Sequence, residues 1–290
     1  MKALIDFDIL RYEIGHSGEY FEKNEEGEFV LDEDGNKNRI IREFDFVAEL
    51  LDQKIFIIKE QTNADEVELY ITNDSRTDKI YDRWCKTFGL LKEDFVPNFR
   101  DKIATVKPYK GTRKSEKPIH YDNLTAYMMA NYPFVLANGV EADDLMAIEQ
   151  TNNPDKTVIC SRDKDLRQVS GWHYSWECGF QNEIGPIEFD RKGWIEDKGG
   201  KCFGGGEMFF LYQLLVGDPV DNIAGCPKVG HVKAMKILTE VKGRKDIYMA
   251  ILEAYRGVYE ENALTYLIEN ARLLWLLRSL DDVWEFPYEN

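Results

Sequence analysis

The acidic side chains of this 290-residue chain cluster in short groups whose spacing suits chemistry. Val140-Glu141-Ala142-Asp143-Asp144-Leu145 crowds carboxylates at the start of a helical pattern. A helix N-terminus needs only one of them as a cap, and the others repel unless cations screen them; hard divalent ions prefer such oxygen ligands. Ser161-Arg162-Asp163-Lys164-Asp165-Leu166 repeats the arrangement after a β-branched run, and Asp6 follows the apolar Ala3-Leu4-Ile5. Further along, Asp218 and Asp221 lie three apart at the end of the helical run 207–216, a spacing that turns both to one side and lets them share a metal cluster. Gly225, Pro227 and Gly230 then force a hairpin into a helix expected over 229–238, whose first N–H groups suit an anion such as a DNA phosphate.

The surrounding elements must deliver these acids to one place. Residues 2–8 read as a buried strand carrying Asp6 at its carboxyl end, where ligands collect in open α/β sheets. An amphipathic helix over 44–61 leads to a strand over 67–72 that ends at Asn73-Asp74, so Asp74 occupies a strand tip like Asp6. A helix over 121–132 and a strand over 134–137 precede Glu141, and a strand over 157–159 opens into Asp163 and Asp165. These alternations predict an α/β fold with a mostly parallel central sheet flanked by helices. Residues 17–40, with Glu-Gly and Asp-Gly turn signals, read as a polar hairpin excursion without chemistry of its own. Residues 171–206 read as short strands and a flexible glycine-rich connection, and 244–282 as helical, with Leu264, Leu267, Ile268, Ala271, Leu274 and Trp275 on a core stripe. The expected division is an α/β core over 1–206 that includes 96–120, and a helical region with the hairpin over 207–290.

The net charge of -16 opposes general phosphate affinity, but its distribution matters more than its sum. Acids accumulate in 13–49 as a solvated, DNA-repelling patch. Against them, residues 96–120 form a basic island of Arg100, Lys102, Lys107, Lys110, Arg113, Lys114 and Lys117, interleaved with the stacking rings of Phe99 and Tyr109. Five cysteines without a Cys-x-x-Cys pair argue against a disulfide framework and a zinc site. An acid at residue 6 and no membrane-length apolar run predict a soluble, untargeted, cytoplasmic protein. The four histidines form no cluster, which favours metal-activated water over a histidine base.

In combination and order, VEADDL, SRDKDL and GDPVDNI with its Gly/Pro hairpin resemble the 5′-nuclease family of flap endonucleases and 5′ to 3′ exonucleases, most closely the compact bacteriophage enzymes. Tyr109-Lys110-Gly111-Thr112-Arg113 is similar to the start of that family's helical arch. The resemblance implies a PIN-like nuclease fold with a helical arch and a helix-three-turn-helix (helix-hairpin-helix) element. It implies a DNA-replication hydrolase that cuts DNA or RNA primers near 5′ ends and at flaps, with Mg²⁺ or Mn²⁺, two per site. By the same resemblance Asp6, Asp74, Glu141 and Asp143 would hold the first metal, and Asp144, Asp163, Asp165, Asp218 and Asp221 the second or its waters, with Asp143 and Asp144 counted as catalytic. Lys110 and Arg113 would grip the scissile phosphate, with Tyr109 stacking on the end nucleotide. Arg100, Lys114, Gly225, Lys228, Gly230 and Lys233 complete the implied DNA contacts, with K⁺ at the hairpin. Replication proteins are further implied partners, and a membrane is not. The chain departs from the pattern in reading Ile5-Asp6-Phe7-Asp8 at the first strand, in the acidic 17–40 excursion, and in placing Val232 where the family tends to have lysine.

Two other readings fit parts of the chain. A haloacid-dehalogenase-like phosphatase would use Asp6, Asp8 and Thr72 but leaves VEADD and the hairpin unexplained. A non-catalytic DNA-junction binder would use the basic island and hairpin but has no need of a concentrated anionic cluster.

Overall fold

In the computed structural model, residues 1–73, 96–112 and 116–288 are described. Asp74, Arg113 and Lys114 lie outside them.

Strand β1 (Lys2–Asp6) sits inside a six-stranded sheet. On one side it pairs in parallel with β4 (Glu66–Thr72), which pairs in parallel with β5 (Phe134–Ala137). On the other it pairs in parallel with β6 (Thr157–Cys160), followed by parallel β7 (Gly171–Ser175) and antiparallel β8 (Ile184–Phe189). The chain therefore builds outward from β1 through β4 and β5, then returns to add β6 on the opposite flank. The crevice between the carboxyl ends of β1 and β6 is the switch point at which open α/β sheets bind ligands.

Period-2 alternation explains how β1 serves two cores. Ala3 and Ile5 face α1 (Phe7–Ser17), α2 (Phe44–Gln61) and α4 (Tyr121–Asn131), the last following a short helix α3 (Phe99–Ile103) in the chain, through Leu10, Leu51 and Leu124. Leu4 faces the opposite layer, where α5 (Ala142–Asn152) contributes Ala142, Met146 and Ala147. All four β6 residues are buried, as a central parallel strand covered on both faces requires.

The helical region packs α6 (Gly206–Val216), α7 (His231–Glu240), α8 (Arg244–Tyr259) and α9 (Ala263–Leu274) around Phe210, Leu214, Ile251, Leu267 and Ala271. Phe210 meets Trp275 edge-on at 5.0 Å, so the expected C-terminal stripe is core.

Several boundaries differ from expectation for local reasons. The first strand stops at Asp6, because Asp6 caps α1 and Phe7 already begins that helix. Helix α7 begins at His231 rather than Val229, and α9 ends at Leu274 with extended backbone at Trp275. The glycine-rich stretch is no flexible connection: Cys202–Gly205 (β10) pairs antiparallel with Trp194–Asp197 (β9), and Gly206 starts α6. Its glycines serve close approach, since a Cβ on Gly193 would lie 1.8 Å from the Gly205 carbonyl oxygen. The expected polar excursion does form a ribbon, β2 (Glu19–Phe21) against β3 (Arg39–Ile41).

Candidate active site

Asp6 ends β1 with 1% of its surface exposed. Its Oδ1 accepts the Ile9 N–H at 3.1 Å, and its Oδ2 accepts the Ser161 hydroxyl at 2.7 Å. Ser161 follows β6 and its Oγ also accepts the Asp163 N–H at 2.8 Å, so one hydroxyl ties the two strand ends across the switch point. The sequence reading missed Ser161; its signal was its place at the head of Ser-Arg-Asp, directly after a buried strand.

Burial and mutual repulsion dominate the electrostatics here. Burial first, then the charges of Asp8 and Asp163, push Asp6 up to about 7. Burial also lifts Asp143 well above the ordinary carboxylate range, with Asp6, Asp163 and Glu141 adding to the rise. Asp163 is raised, chiefly by burial, and Asp165 is pushed up to about 7 by burial and then by Asp163. Like charges that perturb one another this strongly share one low-dielectric site.

Two ammonium groups stand among these acids. Lys110 pairs with Glu141 and lies 3.8 Å from Asp221, while the Tyr109 hydroxyl donates to the same two carboxylates at 2.9 and 3.1 Å. Burial opposes ionisation of Glu141, but Lys110 and Arg100 outweigh it and hold the carboxyl down to about 2. Lys164 bridges Asp165 at 2.8 Å and Asp218 at 2.9 Å, and Gln213 donates to Asp165 at 2.7 Å. Gly217, at φ 75°, ends α6, and Asp218 and Asp221 sit in the turn that follows, each joining a different lysine, with the charge of Asp221 felt by Asp163 and that of Asp218 by Asp165. Lys164 was the residue between the paired acids of Asp-Lys-Asp, and its role is visible only in the fold.

Among the described residues no three of these groups converge as a ready-made metal-ligand set. The donor chemistry nevertheless fits hard divalent cations, because every candidate ligand is a carboxylate oxygen and Asp6, Asp143 and Asp163 lack cations enough to offset their burial.

Two site expectations are corrected. Arg100 does not line a DNA surface: it is 1% exposed and donates a two-pronged bond to Asp144 at 2.6 and 2.8 Å. It also donates to the carbonyls of Leu273 at 3.0 Å and Trp275 at 2.7 Å. Asp144 is not offered to a metal, because its oxygens are taken by Arg100 and by the N–H groups of Glu141 (3.0 Å) and Leu277 (3.2 Å). Acid crowding in VEADD thus resolves into an inward carboxylate, Asp144, and the site-facing Asp143.

The turn leading into the expected hairpin is built on glycine contact. A Cβ on Gly225, at φ 63°, would lie 2.2 Å from the Gly217 nitrogen, and Asp218 and Ile223 exchange backbone hydrogen bonds at 2.9 and 2.8 Å. Gly230 precedes α7 with no side-chain cap, and Gly230, Lys228 and Lys233 are exposed.

No family model matches the chain. It is 30% identical over 171 residues to DNA polymerase I of Pseudomonas aeruginosa, an overlap of 57% of this chain and 18% of the polymerase. It is 25% identical over 188 residues to the 5′-3′ exonuclease of Buchnera aphidicola subsp. Acyrthosiphon pisum, 59% of this chain and 60% of that protein. The chain thus spans less than two thirds of either relative. Among solved structures, bacteriophage T5 flap endonuclease with DNA and metal ions overlays 94% of this chain and 98% of that one, at 13% identity and TM-score 0.48. Bacteriophage T5 5′-exonuclease with zinc gives TM-score 0.47 at 13% identity over 93% of this chain and all of that one. Overlays this loose carry no argument about function. The sequence relatives bear out the resemblance to the 5′-nuclease family.

Proposed function

We propose that the chain is a metal-dependent 5′ to 3′ exonuclease with flap endonuclease activity, hydrolysing phosphodiester bonds of DNA or of RNA primers near 5′ ends. One observation carries this reading: buried Asp6 and half-buried Asp143 and Asp163 raise one another's proton affinity near the sheet's switch point, within the influence of Lys110, contributed by the basic segment. Its sequence similarity to a 5′-3′ exonuclease and a polymerase I supports the same reading.

Asp6, Glu141, Asp143, Asp163, Asp165, Asp218 and Asp221, with Asp74, are the residues that would hold two Mg²⁺ or Mn²⁺ ions. Such ions, when bound, supply an activated water and neutralise charge developing on the phosphate. The chain's own residues do the rest. Ser161 fixes the Asp6 carboxylate and the backbone at Asp163, and Lys164 with Gln213 fixes the Asp165 carboxylate. Lys110, with Arg113, would hold the scissile phosphate, exchanging its carboxylate partners for phosphate oxygens. Tyr109, anchored through its hydroxyl, would stack its ring on the end nucleotide. Lys228, Lys233 and the amide of Gly230 would hold the duplex backbone, with K⁺ as a further ligand of the hairpin, whereas Gly225, buried against Gly217, shapes the turn rather than touching DNA. The two-part division at residue 206, a role with replication proteins and cytoplasmic action belong to the same proposal.

The phosphatase reading loses its strand-end threonine. Thr72 Oγ1 accepts the Ala142 N–H at 2.9 Å and the Thr72 N–H donates to Asp8 at 3.0 Å, so this group braces α5. Incubating the protein with 5′- and 3′-labelled flap, blunt-duplex and RNA-primed substrates, with and without Mg²⁺, tests the proposal. Cleavage from 5′ ends that requires Mg²⁺ or Mn²⁺ is expected; equal activity in chelator, or digestion from 3′ ends, would refute it.

A further inference from the structure

The acidic excursion takes no part in the site described above, and its construction is that of a docking surface. Helix α1, capped by Asp6, starts at Phe7 and spans 11 residues, so the ribbon begins about 16 Å along the helix axis from that acid. Beyond β2 and β3 it continues through isolated pairings of Lys23 with Phe29 and of Leu31 with Lys37. Cross-strand partners share a face and alternate residues repeat it, which puts Phe21, Phe29 and Leu31 on one side together with Lys23 and Lys37.

That face is open, its apolar groups alternating with Lys23, Lys37 and Arg39. Phe21 is 48%, Phe29 41% and Leu31 59% exposed, and the two rings meet edge-on at 6.2 Å. Lys37 lies 3.8 Å from the Phe29 ring centre, so a cation already occupies an aromatic face. Carboxylates rim the patch at its two turns: Glu25, Glu26 and Glu28 at one, Asp32, Glu33 and Asp34 at the other, all exposed. Exposed aromatic and aliphatic groups inside a charged rim are the anatomy of a protein interface. The rim's sign selects the occupant, because phosphates are repelled while lysine and arginine are attracted.

We propose that this ribbon docks a basic segment of another protein, whose apolar side chain covers Phe21, Phe29 and Leu31 while its lysines and arginines meet the rim acids. The root of the ribbon gives such docking a firm base: the His120 ring bonds the Arg42 carbonyl at 2.8 Å, and a Cβ on Gly18 would strike Val47 and His120.

The test uses the full-length chain and fluorescent peptides in which leucine and phenylalanine alternate with lysine and arginine, or with glutamate, read by anisotropy. The basic peptide should bind the wild type with salt-sensitive affinity and the glutamate peptide should not. Replacing Phe21, Phe29 and Leu31 together by serine should weaken binding about tenfold or more. In a second variant that keeps the apolar face, Glu25→Lys, Glu26→Lys and Glu28→Lys together should weaken it comparably. Flap cleavage and thermal unfolding should stay unchanged in both. Equal peptide binding by wild type and both variants overturns the proposal. So does self-association of the wild type that either variant abolishes, which would make a second copy the occupant, or a loss of single-stranded DNA binding in the serine variant, which would make it nucleic acid.

Discussion

Replacing Arg100 by methionine removes the cation that joins three parts of the chain. The guanidinium lies on α3, grips Asp144 on α5 with bonds of 2.6 and 2.8 Å, and holds the Leu273 and Trp275 carbonyls where α9 ends. At 1% exposure for the arginine and full burial for Asp144, water cannot replace these bonds. Removing one partner of a buried pair typically costs about 3–5 kcal/mol. Asp144 keeps the N–H groups of Glu141 and Leu277, which compensates part of its charge, so the lower end of that range, about 3 kcal/mol, is expected. Urea unfolding of wild type, Arg100→Met, Asp144→Asn and the double variant measures the cost and the coupling. The double variant should lose less than the sum of the single ones, because the orphaned charge is gone. A loss below about 1 kcal/mol for Arg100→Met, typical of an exposed pair, or additive single effects, would refute the buried-clamp reasoning.

Other expectations follow from the same geometry. Asp143→Asn should abolish strand cleavage while DNA binding without divalent ions, measured by gel shift at fixed salt, stays the same or tightens; wild-type cleavage under saturating Mg²⁺ would exclude Asp143 from the metal site. Lys110→Ala should slow single-turnover cleavage more than it weakens substrate affinity, since a charge aimed at the scissile phosphate acts most as negative charge develops; unchanged rates at saturating enzyme would remove Lys110 from the chemistry. His173, lowered by burial from 6.5 to about 4, donates Nε2–H to the Val169 carbonyl at 2.8 Å. Because its folded value lies below its unfolded one, stability is undiminished above pH 6.5 and falls as pH drops from there towards about 4. The ceiling is about 3 kcal/mol, so His173→Gln should flatten the urea-unfolding curve against pH over that window, and parallel curves would contradict the assignment.

Much of the layout was legible because local physics dictated it. Helix 44–61 and strand 134–137 fall where apolar periodicity put them. Asp6 and Asp163 sit where buried runs end, since a parallel strand covered on both faces must be apolar until it reaches solvent. The contact between Gly217 and Gly225 is one that only glycine tolerates.

What it could not assign was direction. Asp143 and Asp144 are adjacent and chemically identical, yet one meets Asp6 and Asp163 while the other turns inward to an arginine 44 positions away in sequence. Arg100 reads as part of a basic island alongside Lys110, and burial alone separates them. Nor does spacing reveal that Asp218 and Asp221 join different lysines. By itself, then, the sequence determined the strands, the turns and the inventory of charges, all set by local sterics and periodicity. Which charge meets which was decided only by tertiary packing, because a buried carboxylate's role depends on the partner that the fold carries to it across long stretches of chain.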